Sequence, residues 1–160
     1  MTVEESLAKT AVGAWTINID RANKLFANVS EAQLQHEIAP GKNRLLYLWG
    51  HLIAVHDAML PLLGIGPRRY ADLDAAFLEG ADRAIDVVFT RDELKARWDA
   101  TNAALQEGFD RFTAADWTGR HTAVPEADFA VNPLRNRLAV LLSRTGHVSY
   151  HLGQAVLAPK

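Results

Sequence analysis

The chain of 160 residues contains no cysteine, which removes disulfides, thiolate metal ligands and any protein-borne thiol nucleophile at once. It also has no excess of positive charge: 17 Lys and Arg stand against 19 Asp and Glu, a net charge of -2 that offers no basic field for nucleic acid. An acidic start, Met-Thr-Val-Glu-Glu, is followed by no apolar run of the secretory kind, so a cytoplasmic protein is expected. Neither a Gly-rich phosphate loop nor a nucleophilic serine motif appears. What chemistry there is must rest on histidine, carboxylates or a bound cofactor.

The one stretch as long and apolar as a membrane span, Leu45 to Gly66, carries His51, His56 and Asp57 near its middle. A central Asp alone costs roughly 2.5–3.5 kcal/mol on insertion. The stretch therefore reads as a buried helix of a soluble protein with no membrane partner.

What is present in quantity is helical periodicity. Leu7, Ala11, Ala14, Trp15, Ala22, Leu25, Phe26 and Val29 recur at helical spacing and predict a first long helix over residues 4–28. Ser30 and Gln33 form a capping box for a short helix that Pro40 and Gly41 end. A second long helix is expected from about Arg44 to Leu63, stopped by Gly64-Ile-Gly66-Pro67. After an irregular stretch, the box Thr90-Arg-Asp-Glu93 opens a third, from about 91 to 111. Residues 113–131, broken by Gly119 and Pro125, read as a long connection. Asn132-Pro133 then looks like an N-cap and first helical position for a fourth long helix to Leu157, a run without a single carboxylate. Four such helices and no strand pattern give an all-α fold, a four-helix bundle with long connections in one domain over 1–160.

The histidines stand out against this frame. His147 and His151 are one helical turn apart, so their side chains lie about 5–6 Å from each other on one face. Taking about 100° per residue, His51 borders the apolar stripe of Leu48, Leu52, Val55, Met59 and Leu62 on the second long helix. Burying three neutral imidazoles without a shared partner leaves several polar atoms to satisfy, and one divalent ion satisfies three. His51, His147 and His151 are accordingly the expected metal ligands. His56 lies about 140° around the helix from His51 and is expected at a surface or interface. His36 is expected to be solvated.

Around the pair, Gln154 follows His151 by about one turn and is placed to orient it or a bound group. Arg144 precedes His147 on the same side and is either a solvated surface arginine or a partner for a carboxylate of substrate or cofactor. Tyr150 faces about 60° to the other side of His147, as a polar contact or as packing. His121, in the long connection, is a candidate substrate contact. The aromatic residues Trp15, Trp98, Phe26, Phe109 and Phe112 repeat at helical spacing and are expected in the core rather than in a substrate cage.

Gly50-His51-Leu52, the lead Ala39-Pro-Gly-Lys-Asn43-Arg44 and the terminal His147-x-x-Tyr-His151-x-Gly-Gln154 resemble the DinB-like superfamily of four-helix-bundle, metal-dependent proteins, over nearly the whole chain. The resemblance implies a divalent ion (Zn, Ni, Fe or Mn) held by His51, His147 and His151, a small-molecule substrate, and a homodimer. It further implies one of two activities, transfer of a low-molecular-weight thiol or metal-dependent hydrolysis; a non-catalytic metal- or ligand-binding bundle in stress response is the third reading. Three protein ligands leave a coordination position open, as catalytic metals require. Unlike a His-Glu-x-x-His protease, the last helix has Val148 after His147 and no acidic base. A thiol acidified by a metal needs no such base, which favours S-transfer. Asp57, Glu126 and Asp128 remain candidates for a carboxylate that folds close by.

Overall fold

In a computed structural model, described for residues 1–159, four long helices make the bundle. They are α1 (Val3–Ala27), α3 (Leu45–Leu62), α4 (Arg91–Arg111) and α7 (Arg137–Ala155). Three short helices lie in the connections: α2 (Glu31–Leu34), α5 (Ala114–Thr118) and α6 (Glu126–Val131). No strand occurs among the described residues, only two isolated bridges, Glu37 with Arg44 and Arg120 with Asn136. The all-α bundle expected from periodicity is the fold.

Local chemistry sets the starts of these helices. The capping boxes at Ser30 and Thr90 form as expected, and Thr2 and Thr113 make two more ahead of α1 and α5. Gly64, with φ of 73°, takes the left-handed conformation that stops α3. The last helix begins later than Asn132-Pro133 suggests. The side chain of Asn136 accepts from Ala139 N at 2.9 Å and caps α7, while Asn132 and Pro133 sit in the turn that links α6 to it. Two amide side chains four residues apart compete for the same role, and backbone packing awards it to the second: Arg137 N bonds Gly119 O at 3.0 Å. The connection over 113–131 likewise holds two short helices rather than an unbroken loop.

Around the bundle α1 packs along α7, α7 borders α3, and α3 packs along α4. The core between them holds Trp15, Phe26, Trp49, Trp98 and Phe109, with Phe26 and Trp49 stacked at 4.4 Å. Helix α3 is apolar nearly all round, and 72% of it is buried, as befits a helix at the centre of a core rather than one in a bilayer. Leu7, placed by its spacing on the α1 stripe, is instead 62% exposed.

The irregular segment after α3 matters most for the site. It contains a single 3-10 turn, Ala71–Leu73, and a wider turn with π-type bonding, Ala75–Glu79. Asp57, fully buried on α3, accepts from Arg69 N at 2.9 Å, Tyr70 N at 3.0 Å and Arg68 Nε at 2.8 Å, and Arg68 also pairs with Asp74. At its far end Tyr47 donates to Gly80 O at 2.8 Å and Arg44 pairs with Asp82 at 2.7 Å. The segment is thereby pinned at both ends against α3.

Candidate metal centre

His51 enters the site from the middle of α3. It follows Gly50, where a Cβ would lie 2.4 Å from the ring of Phe77, so only glycine lets that ring rest directly on the helix. With the ring so seated, the carbonyl of Phe77 accepts from His51 Nδ1 at 2.7 Å. A carbonyl only accepts, so neutral His51 carries its proton on Nδ1 and presents a lone pair at Nε2. From α7, His151 Nδ1 donates to Gln154 Oε1 at 2.7 Å. The Gln154 amide is oriented by its own donation to Tyr150 OH at 3.1 Å, which keeps its oxygen toward the imidazole. His151 Nε2 is left as a second lone pair.

These two nitrogens converge on a third. His147 Nε2 lies 3.1 Å from His51 Nε2 and 3.0 Å from His151 Nε2. Burial, reinforced by the neighbouring imidazoles and by the charge of Arg144, depresses His147 to about 4. Burial also pulls His51 and His151 below the ordinary histidine value. All three rings are neutral at neutral pH. A single proton on His147 Nε2 can bridge to one neighbour but not to both, so lone pairs face one another across about 3 Å. A cation at their centre resolves that repulsion. Separations of this size are the chords between ligands about 2.1 Å from one ion with roughly 95° between them, so the residues fit a divalent metal that keeps open positions. Imidazole donors suit Zn, Fe and Ni.

The cluster contains histidines alone, His51, His147 and His151, with no carboxylate among the groups that converge. The three acids considered as neighbours lie elsewhere. Asp57 is consumed by the Arg68, Arg69 and Tyr70 contacts, Asp128 pairs with Arg135 at 3.2 Å, and Glu126 is exposed on α6. Gln154 stands where spacing put it, bonded to His151. Tyr150 is 63% exposed, its ring against His151 with centroids 5.1 Å apart. Arg144 is half-buried on the same face of α7, and His121 lies farther along, in a cavity that Arg144 also lines.

His56 departs from the expectation of a surface or interface position. It is wholly buried between Trp15 and Trp98, with ring centroids 4.7 and 5.0 Å away, and its Nδ1 donates to Asn102 Oδ1 at 2.9 Å. The angle of about 140° from His51 holds, but α3 is covered on both sides, so that direction points into core rather than solvent. His36 is half-buried, its Nδ1 3.3 Å from Pro159 O. The Phe77 carbonyl was not visible in the sequence. A backbone acceptor in an irregular segment has no side-chain signature, and only Gly50, immediately before a candidate ligand, hints at a close approach there.

A helical bundle in which one histidine of a central helix meets a one-turn pair on the last is a bundle protein with a metal-capable centre between two of its helices. The family model of the DinB superfamily matches residues 14–155, and the chain belongs to that superfamily. No curated protein matches it.

Proposed function

We propose that the protein is a metal-dependent S-transferase that uses a low-molecular-weight thiol. The observation that carries this reading is the composition of the centre: three neutral imidazoles, two of them with their lone pairs fixed inward, and no carboxylate among the converging groups to serve as general base. A bound divalent ion would supply Lewis acidity, enough to deprotonate a thiol that reaches it. The chain's own contribution is orientation. Phe77 O and Gln154 hold two imidazoles in one tautomer and one pose. A thiolate so formed, its proton passed to solvent water, would form a carbon–sulfur bond at an electrophilic carbon of the small-molecule substrate as the bond to the leaving group breaks and that group departs with the electron pair, without a proton acceptor from the protein.

The same residues would support hydrolysis if water took the place of the thiol, and the absence of a base makes that the weaker reading. We take the protein to act in the cytoplasm; among the described residues, the helix of span length is mostly buried within the bundle. Elemental analysis of natively purified protein should give about one divalent ion per chain, and His147→Ala should abolish it. Turnover of a panel of electrophiles should then require an added thiol. Metal-free protein, or a His147→Ala variant with full metal content, overturns the metal centre, and thiol-independent turnover replaces transfer with hydrolysis.

A further inference from the structure

The face of α7 that carries His147 and His151 extends toward the start of the helix. At about 100° per residue, Asn136, Val140, Ser143 and Arg144 all fall within about 60° of His147. On α3, Val55, Ala58 and Leu62 continue the face of His51 in the same way. Leu62 of the one face and Asn136, Val140, Ser143 and Arg144 of the other line a shared groove of about 360 Å³ beside the triad; His121, Leu134 and Arg135 also border it, and its wall has no Asp or Glu.

Within that wall Arg144 is set apart from the other arginines nearby. Arg120 donates to Val124 O, Arg135 pairs with Asp128, and Arg137 donates to Leu63 O and Asp116 O. The guanidinium of half-buried Arg144 makes no hydrogen bond and no ion pair among the described residues. A permanently charged fork in a groove without a counter-ion is matched by a planar anion that accepts two parallel hydrogen bonds. Along the helix axis Arg144 and His147 are only about 4.5 Å apart. A group held by Arg144 and a group reacting at the triad therefore belong to one small molecule. His121 lines the same cavity, although its Nδ1 is buried and unpartnered rather than open to the space.

We propose that this groove binds a small organic carboxylate through Arg144, beside Val140 and Leu62, with the rest of the molecule reaching the triad one turn away, and that it is the substrate subsite of the centre. Its role as a substrate subsite rests on the metal-centre reading above, whereas capture of the anion by Arg144 does not. Carboxylate is favoured over phosphate because, of the two arginines that line the space, Arg135 is already paired with Asp128, and the two parallel donors of Arg144 match two carboxylate oxygens.

Calorimetric titration of the full chain with benzoate, benzamide and phenyl phosphate tests this, in metal-free and metal-loaded protein. Benzoate should bind both forms, and benzamide, of the same shape but neutral, at least tenfold more weakly. Arg144→Gln should weaken benzoate at least tenfold in both forms, and Arg144→Lys by less. Arg21→Gln, on the exposed side of α1, should change nothing. Equal binding of benzamide, or undiminished benzoate binding by Arg144→Gln, overturns the proposal; tighter binding of phenyl phosphate overturns the carboxylate assignment. Circular dichroism confirms that each variant folds. Protein that binds benzoate but holds no metal retains the anion site and loses the centre. Protein that holds metal but not benzoate loses the subsite alone.

Discussion

His51 and His147 are 96 residues apart in the chain, yet their Nε2 atoms lie 3.1 Å from each other across the boundary between α3 and α7. The Phe77 carbonyl assigns the His51 proton to Nδ1, so His51 Nε2 can only accept at this contact. His147 has one proton at most to offer from Nε2, which His151 Nε2 draws equally, and the three nitrogens form a triangle that suits a cation.

Gly50 is what allows the first of those hydrogen bonds. Adding a methyl group in Gly50→Ala would bring a Cβ to 2.4–2.6 Å from three atoms of the Phe77 ring. The ring must move, and the carbonyl on His51 moves with it. Loss of such a support costs about 10–100-fold in metal affinity. Competition titration against a chromophoric chelator should show that loss, and a lower melting temperature should accompany it.

Gln154→Ala removes the acceptor behind His151 and leaves its imidazole free to rotate and to change tautomer. Metal affinity is expected to fall about tenfold or more, with little effect on the melting of metal-free protein, since Gln154 is only half-buried. Gln154→Glu keeps an acceptor in place and should retain affinity. If both variants bind metal as the parent does, the Gln154 contact is incidental.

Asp57 holds the start of the segment that delivers Phe77. Asp57→Ala would strand Arg69 N and Tyr70 N and take one of two carboxylates from Arg68. Removing one partner of a buried charged network costs about 3–5 kcal/mol, measurable by urea unfolding. Asp57→Asn keeps an acceptor and should cost less. Hydrogen exchange should quicken over residues 67–80 before it does in the long helices.

His56 gives the fold a pH dependence separate from the triad. Burial holds it down to about 3 from an ordinary 6.5, with the hydrogen bond to Asn102 opposing the shift. The unfolded chain gains a proton at this residue below about pH 6.5 and the folded chain does not, so the stabilisation is complete above that pH and is lost as pH falls toward about 3. Within the window the slope approaches about 1.4 kcal/mol per pH unit. Urea unfolding of chelator-treated protein from pH 7 to pH 4 should show a shallower decline in His56→Leu than in the parent.

The sequence alone determined the helices and the pair. Capping boxes at Ser30 and Thr90, the stop at Gly64 and the spacing of His147, His151 and Gln154 are governed by bonds and angles within a few residues, so periodicity reads them directly. His51 was legible as a candidate because it interrupts an apolar stripe. Tertiary structure decided what depends on how distant faces meet. It alone set the order α1, α7, α3, α4, the approach of His51 to the pair, and the delivery of the Phe77 carbonyl by a turn that Asp57 pins. His56 shows why the two levels separate. The helical wheel places a side chain around its own axis, but whether that direction is solvent or core is a property of the neighbours, and α3 has neighbours on both sides.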